Sequence, residues 1–298
     1  MRRLITTGVS AGLTLGLVAG LAAMAMPSAA QEEPVTVETD VVYRTVDGEA
    51  LGADVYLPAE EGRARPAVLI IHGGGWVSGE KAWFADQANQ LAAAGYVAVS
   101  VDYRLAPAHP YPAPVEDVEA AVKWLRKPKQ VDAYGIDPDR IGVLGGSAGA
   151  HLAGMLGVLG HGSLEKGARV AAVVEWSGPM DLTRVAAAFD AGTSQPDGSV
   201  APFLGCTAGD CPAERAAQAS PVTHVDKTDS PMLLINSDAE LVPLALVQPM
   251  VDALEDAGVE HELLVLPGNR HSRAYSADVM DDTIAFFDDH LAKPADRG

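Results

Sequence analysis

The stretch Ile141-Gly-Val-Leu-Gly-Gly-Ser147-Ala-Gly149 decides the fold of this chain. Its first half is a short apolar run, which is typical of a strand buried on both faces of a sheet. Its second half fits the pattern Gly-x-Ser-x-Gly, and a helical pattern over 149–159 follows at once. A strand, a sharp turn and a helix in this order present the serine at a strained bend, where flanking glycines avoid clashes. Ser147 is therefore the candidate nucleophile.

The same alternation extends in both directions along the chain. Further apolar runs lie at 68–71, 97–101, 171–174, 232–235 and 263–266, and further helical patterns at 82–94, 115–126, 243–257 and 278–291. Two earlier runs, 35–46 and 51–56, are divided by Asp47-Gly48 and predict an antiparallel hairpin. Strands that alternate with helices predict an α/β fold with a mostly parallel central sheet and helices on both faces.

Residues 182–230 interrupt this alternation. They are rich in Ala, Gly, Pro, Ser and Thr, and we interpret them as a small lid or cap insertion, because long connections within a compact domain are often functional. The two cysteines of the chain, Cys206 and Cys211, lie here. They are too few for a structural metal site, and we expect a disulfide that closes a short loop. Two free thiols are the alternative.

The first thirty residues have the order of an export signal. Two arginines precede an apolar stretch over residues 4–26, and small residues follow up to Ala30. This order predicts a signal peptide over 1–30 that is cleaved after Ala30, with an uncleaved membrane anchor as the alternative. We therefore expect a secreted, extracellular protein without a stable membrane anchor, whose single domain covers 31–298.

The chain is strongly acidic. It has 21 Lys and Arg against 40 Asp and Glu, a formal net charge of −19. An acidic surface repels phosphate backbones, so nucleic acid is not an expected partner. No motif implies a metal or an organic cofactor, and the sequence makes no prediction of the oligomeric state.

A second glycine-rich loop, His72-Gly-Gly-Gly-Trp76, follows the first of the buried apolar runs. Bare glycines let backbone N–H groups approach a developing oxyanion closely. We assign the N–H groups of Gly74 and Gly75, together with that of Ala148, to a predicted oxyanion hole. A phosphate-binding loop is the alternative, but it needs a suitably spaced lysine and hydroxyl residue. We interpret His72 as structural.

With these motifs the chain resembles the hormone-sensitive-lipase-like and related bacterial esterase branch of the α/β hydrolases. Two more stretches carry the resemblance, Asp102-Tyr-Arg-Leu-Ala-Pro107 and the run from Tyr111-Pro112 through Glu116-Asp117 to Trp124-Leu125. Gly146 stands where many lipase-like members carry Asp, which favours the acetyl- and feruloyl-esterase-like relatives. The resemblance spans residues 40 to 291 and implies an α/β-hydrolase fold, with 102–107 structural.

The resemblance also implies the order serine, acid, histidine along the chain. His271 follows the last apolar run and matches the family's catalytic histidine, and we interpret the other seven histidines as packing or surface residues. Relatives place an aspartate where Ala239 stands here, and Asp238 and Glu240 are each one residue away. We prefer Glu240, because its longer side chain offsets the shift. Asp238 is the alternative acid, and it could instead cap the following helix.

These residues predict a secreted serine carboxylesterase that cleaves esters of small acyl groups, free or linked to polysaccharide, through an acyl-enzyme. A peptidase or amidase on the same fold is one alternative, although peptidase relatives usually carry an extra propeller domain for which this length has no room. A non-catalytic binding protein with a hydrolase fold is another. The chain has only 5 Phe, 4 Trp and 7 Tyr, so no aromatic platform for sugars is predicted.

Overall fold

The computed structural model describes residues 35–59, 62, 64–160, 163–164, 166–185, 197–207 and 210–292. The predicted signal peptide over 1–30 lies outside these residues. Of the helices within them, none is both long and apolar enough to cross a membrane.

The first two strands form the predicted antiparallel hairpin. Strand β1 covers Thr36–Val46 and β2 covers Glu49–Leu57. Asp47 and Gly48 make the connecting turn, with φ values of 51° and 87°. Two successive positive φ angles match the right-handed twist of the flanking strands, and Asp-Gly adopts them at low cost.

The later strands run parallel to one another. They are β3 (Arg65–Ile71), β4 (Val97–Val101), β5 (Ile136–Gly146), β6 (Ala172–Trp176), β7 (Met232–Ser237) and β8 (His261–Leu266). The sheet order is β1-β2-β4-β3-β5-β6-β7-β8, and β2 pairs antiparallel with β4. Because parallel strands end at the same edge of a sheet, the residues after β3, β5, β6, β7 and β8 meet there.

Helices cover both faces of the sheet, which confirms the predicted α/β fold. They are α1 (Ala85–Ala93), α2 (Ala113–Leu125), α3 (Pro128–Tyr134), α4 (Ala148–Leu159), α5 (Asp197–Leu204), α6 (Ala213–Gln218), α7 (Gln248–Ala257) and α8 (Ser276–Leu291). One hydrophobic core joins α1 and α8 to the sheet, and a second joins α2, α4 and α7 to it. Alternate residues of the central strands, such as Leu69 and Ile70, belong to opposite cores.

The pattern of apolar runs misses two features of the region before Ser147. Helix α3 begins at Pro128 and ends at Tyr134, and the next residue, Gly135, has the positive φ common after a helix, 65°. Strand β5 begins at Ile136, five residues before the apolar run. Residues 137–140 are only partly buried, so they lack the continuous apolar character by which the strand is predicted.

The segment 182–230, predicted as a lid or cap insertion, holds α5, α6 and two short 3-10 helices, Leu182–Arg184 and Pro221–His224. Residues 186–196 and 208–209 lie outside the described part. Between α5 and α6 the structure pairs the two cysteines in a disulfide, Cα atoms 5.2 Å apart. Phe203 of α5 stacks on Trp76, ring centroids 4.5 Å apart, and so ties this segment to the second glycine loop.

Candidate active site

Ser147 occupies the bend between β5 and α4, as predicted. Its backbone has φ 55° and ψ −118°, a conformation that non-glycine residues adopt only under constraint, typically at a cost of about 1–3 kcal/mol. The Ser147 N–H donates to the carbonyl of Trp176 at 2.7 Å, which anchors the bend to β6. A Cβ on Gly145 would overlap the carbonyl of Gly149, so the flanking glycines are sterically required.

Gly146, the residue before Ser147, packs against the loop that carries His271. A Cβ there would overlap the hydroxyl of Ser272 and lie 2.5 Å from Cζ of Phe84. The close packing excludes the aspartate that many lipase-like relatives have at this position. It also brings the backbone beside Ser147 against the residue that follows His271.

The second glycine loop lies against Ser147. A Cβ on Gly73 would lie 3.1 Å from Cβ of Ser147. Gly74 and Gly75 have φ values of 113° and 60°, which favour glycine, and the carbonyl of Gly74 accepts the N–H of Ser78 at 3.1 Å. Within the described residues the N–H groups of Gly74 and Gly75 donate to no protein acceptor. They are free to bind an oxyanion.

His72 supports the second glycine loop through packing, in agreement with its interpretation as a structural residue. Its ring is buried and stacks on Tyr103, with centroids 4.3 Å apart, and the Tyr103 hydroxyl donates to the His72 carbonyl at 3.2 Å. Burial lowers the pKa of His72 to about 4, so the ring is neutral at ordinary pH. A buried imidazole packed in this way supports the loop rather than the chemistry.

The structure brings Glu240 and His271 into contact. Oε2 of Glu240 meets Nδ1 of His271, although 31 residues separate them. Oε1 of Glu240 accepts the backbone N–H of Ser237 at 2.7 Å and the hydroxyl of Ser177 at 2.9 Å. The carboxyl group is buried, and both of its oxygens have partners.

Asp238 lies elsewhere. Its exposed Oδ1 accepts the N–H of Gly268 at 2.8 Å and so joins the loop after β7 to the loop after β8. The suggestion that Asp238 caps the following helix is wrong: the 3-10 helix Leu244–Leu246 begins after Pro243, and α7 begins after Val247. After β7 the chain turns toward β8 before it enters α7. The Asp238 side chain therefore lies against the loop after β8.

Ser177 is a site residue that the sequence analysis missed. Besides donating to Glu240, its Oγ accepts the N–H of Ser272 at 2.9 Å and contacts the Tyr275 hydroxyl at 2.7 Å. The Tyr275 hydroxyl also donates to the carbonyl of Ile235 at 2.9 Å. Ser177 thus links the acid loop to the histidine loop. Its position just after a buried strand, next to the strand of Ser147, is the signal that marks it.

Glu175, on β6, is a second buried carboxyl group that the sequence analysis missed. Its residue is 1% exposed, and its Oε2 accepts the N–H of Gly178 at 2.7 Å. Among the described residues Oε1 has no hydrogen-bond partner. Burial, followed by the nearby Glu240, raises the pKa of Glu175 well above its ordinary value and so favours the protonated form.

A small apolar cavity of about 170 Å³ opens beside Ser147. It is lined by Gly75, Trp76, Ser147, Ala148, Pro179, Val185, Ser199, Val200, Leu241 and Val242. Two of the three residues of the predicted oxyanion hole therefore face the same cavity as Ser147. A larger open cleft of about 660 Å³ lies at Arg65 and Tyr134 and contains none of the predicted site residues.

Several curated proteins align with parts of this chain. Arylacetamide deacetylase of Bos taurus is 34% identical over 149 residues, which is 48% of this chain and 37% of that protein. Esterase LipI of Mycobacterium tuberculosis is 42% identical over 130 residues, 42% of this chain and 40% of that protein. The chain thus spans about two fifths of the length of these relatives.

Solved structures match over most of the described fold. A truncated carbohydrate esterase from gut microbiota has a TM-score of 0.73 at 27% identity, and the match covers 89% of this chain and 99% of that one. The thermophilic esterase Est2 of the planctomycete Thermogutta terrifontis, with propionate bound, has a TM-score of 0.68 at 26% identity, covering 86% and 93%.

The model of the family BD-FAE matches residues 53–254. This range is more than half of the chain, and it includes the glycine loop, Ser147 and Glu240. The eight-stranded sheet and the esterase structures that resemble it agree with an α/β-hydrolase fold. This chain belongs to the BD-FAE family and has the α/β-hydrolase fold.

Proposed function

We propose that this protein is a serine carboxylesterase that cleaves esters of short acyl groups through an acyl-enzyme. The observation that carries the proposal is the contact of buried Glu240 with His271, beside a strained Ser147 whose neighbouring N–H groups are free. A buried carboxyl group on Nδ1 orients an imidazole so that Nε2 can act as a base.

In the proposed reaction the Ser147 hydroxyl attacks the ester carbonyl while His271 takes its proton. Glu240 holds the Nδ1 proton and stabilises the imidazolium. The N–H groups of Gly74, Gly75 and Ala148 bind the oxyanion of the tetrahedral intermediate, and losing one such donor typically costs about 100- to 1000-fold in rate.

The intermediate collapses when the bond to the alcohol breaks and His271 gives its proton to the leaving oxygen. Water then attacks the acyl group on Ser147, with His271 again taking a proton, and the acid leaves as Ser147 regains its hydrogen. Each step transfers one proton through the same imidazole.

The acyl group of the proposed substrate is short. The cavity beside Ser147 has a volume of about 170 Å³, and its lining includes Trp76, Val185, Val200 and Val242, so it suits an apolar chain of a few carbons. Structures of Est2 carry bound propionate or butyrate, and a second relative is a carbohydrate esterase. We extend these properties to this chain, with short acyl esters, free or sugar-linked, as its substrates.

We also propose that the protein is exported and acts outside the cell after removal of residues 1–30. The disulfide between Cys206 and Cys211 supports this, since disulfides persist in oxidising compartments. Intact-mass analysis of the exported protein tests it: the mature chain should begin at Gln31, and a full-length mass in the membrane fraction would contradict this proposal.

The catalytic proposal is tested with 4-nitrophenyl esters of two to twelve carbons, run beside 4-nitroanilides of the same acids. We expect kcat/KM to be highest for acetate to butyrate and to fall with longer chains, and the anilides to react far more slowly. A fluorophosphonate probe should label Ser147, and Ser147→Ala should abolish both labelling and turnover. Labelling of another serine, or faster anilide cleavage, would refute the assignment.

A further inference from the structure

Trp83 and Arg273 form an exposed pair near the predicted active site, and we call them the Trp83–Arg273 rim. The Arg273 guanidinium carbon lies 5.4 Å from the centre of the Trp83 ring and 5.7 Å from that of Phe84. Nη1 of Arg273 donates to the Trp83 carbonyl at 2.6 Å. Trp83 is 37% exposed, one of few large apolar side chains at the surface. Arg273 is exposed as well, so part of an indole and part of a guanidinium reach solvent side by side.

The rim adjoins the residues that would carry the reaction. Phe84, under the guanidinium, packs on the Cα of Gly146, next to Ser147. The Trp83 ring lies 6.3 Å from that of His72, which holds the glycine loop. Arg273 follows His271 by two residues. Neither Trp83 nor Arg273 lines the apolar cavity, so the rim is a separate surface beside Ser147.

Arg273 keeps most of its hydrogen-bonding capacity. A guanidinium has five N–H donors, and one of those of Arg273 goes to the Trp83 carbonyl. In the described part of the chain no carboxylate pairs with it, whereas Arg270, on the same loop, is bound to Asp278. The chain as a whole has a net charge of −19, so a cation without a carboxylate partner is a local exception to the charge of the surface.

The shapes of the two surfaces decide which part of an ester each accepts. The cavity is small and apolar, so it suits the acyl group and excludes charge. The rim is open, so it can accept a large polar group. A ring stacks on an indole, and a carboxylate pairs with a guanidinium through two parallel hydrogen bonds.

We propose, on the basis of the proposed esterase function, that the Trp83–Arg273 rim binds the alcohol part of the substrate and selects cyclic alcohols that carry a carboxylate. Acylated sugar acids are the biological class with this chemistry. In such a substrate the acyl group lies in the cavity, the ring lies on Trp83 and the carboxylate faces Arg273. Aromatic side chains are few in this chain, but one exposed tryptophan beside a free arginine is enough for this contact.

The test compares 4-acetoxybenzoate with 4-acetoxybenzamide, which share the acetyl group and the ring and differ in charge. Each kcat/KM is divided by the rate constant of hydrolysis by hydroxide, which removes the difference in leaving-group reactivity. We expect the normalised ratio to favour the carboxylate about fivefold in the wild-type protein, mainly through KM, as suits an exposed ion pair.

Arg273→Gln should bring this ratio to about one, and Arg270→Gln should leave it unchanged, because Arg270 is already paired with Asp278. In the wild-type protein, 1 M NaCl should also reduce the ratio, since it shortens the screening length to about 3 Å. This measurement does not depend on the folding of a variant.

Two outcomes would overturn the rim proposal alone: turnover of 4-nitrophenyl acetate with a wild-type ratio of one, or a ratio that survives Arg273→Gln. Failure to hydrolyse any ester would overturn the esterase function with it.

Discussion

The ends of β6 and β7 each carry a buried glutamate, and the two differ in their hydrogen-bond partners. Glu175 on β6 receives one N–H, from Gly178, and its other oxygen has no partner among the described residues. Glu240 after β7 receives the N–H of Ser237 and the hydroxyl of Ser177 on one oxygen, and meets His271 with the other. Both are nearly inaccessible to solvent.

The two glutamates show how the hydrogen-bond partners of a structural acid differ from those of a candidate catalytic acid. Burial penalises a charged carboxylate, and only donors or a cation compensate for it. Glu175 has one donor, and its burial raises its pKa well above the ordinary value, which favours the protonated form. Glu240 has three partners, one of which is the imidazole of His271.

The largest effect is expected at Glu240. In Glu240→Gln the amide oxygen should take the place of Oε1, since two donors point there, and the NH₂ group would then face His271. The imidazole would be forced into the wrong tautomer, and kcat should fall about 10,000-fold, as when another triad acid is amidated. Steady-state kinetics with 4-nitrophenyl acetate measure this loss.

Asp238→Asn is the matched control for that variant, because Asp238 is exposed and contacts only the loop of Gly268 among the described residues. Its rate should stay within about twofold of wild type, with a stability loss of at most about 1 kcal/mol. The reverse pattern, a silent Glu240→Gln and an inactive Asp238→Asn, would assign the acid to Asp238. Two silent variants would mean that His271 works with Ser147 alone.

The next effect is expected at Ser177, which connects the two strand ends to the histidine loop. Ser177→Ala removes the donor to Glu240 and leaves the buried N–H of Ser272 without its acceptor. We expect kcat to fall about 10- to 100-fold with KM nearly unchanged, because the acid and base are misplaced while the cavity remains. Tyr275→Phe, which keeps Ser177, should have a smaller effect. A loss confined to KM, or to stability, would contradict a positioning role.

A smaller effect, on stability and its pH dependence, is expected at Glu175. Because its pKa is raised in the folded protein, its stabilising protonated form is fully present below the unfolded pKa, about 4.3, and stability is lost as the pH rises toward the folded value. Glu175→Gln, a permanently neutral isostere, should therefore match wild type near pH 4 and melt higher at pH 8. A domain of this size gains roughly 2–4 °C per kcal/mol.

Thermal melts of both proteins from pH 4 to pH 8 measure this difference, and esterase activity should change less than about threefold. If Glu175→Gln melted lower by the same amount at every pH, Glu175 would be charged or would act through its shape alone. If activity fell as far as in Ser177→Ala, the contrast between the two strand ends would disappear.

The smallest effect on activity is expected from the disulfide, which lies in the segment between α5 and α6, apart from both strand ends. Replacing Cys206 and Cys211 by serine should lower stability by about 2 kcal/mol, because the closed loop is short. Turnover of 4-nitrophenyl acetate should be unchanged. Thiol titration of the native protein should find no free thiol, and two titratable thiols would refute the bond.

Much of the fold could be predicted from local patterns. The Asp47-Gly48 hairpin, the buried strands and the bend at Ser147 follow from side-chain periodicity and from the steric needs of tight turns, which act within a few residues. Helix α3 and the first part of β5 were not predicted, because their residues are partly exposed and lack a strong apolar period. Boundaries of this kind depend on what covers the element rather than on its own sequence.

Local residue patterns are enough to locate a serine at a strained strand–helix bend, a glycine loop after the first buried strand and a histidine after the last. The identity of the carboxyl group that meets this histidine depends on the folded chain. The sequence favours Glu240 over Asp238, two residues away, only by the length of its side chain, whereas in the fold Glu240 alone meets the donors of Ser177 and Ser237. The pairing of Arg273 with Trp83, 190 residues apart, is of the same kind. Such contacts form where parallel strands and their loops converge in space, and no local pattern encodes that convergence.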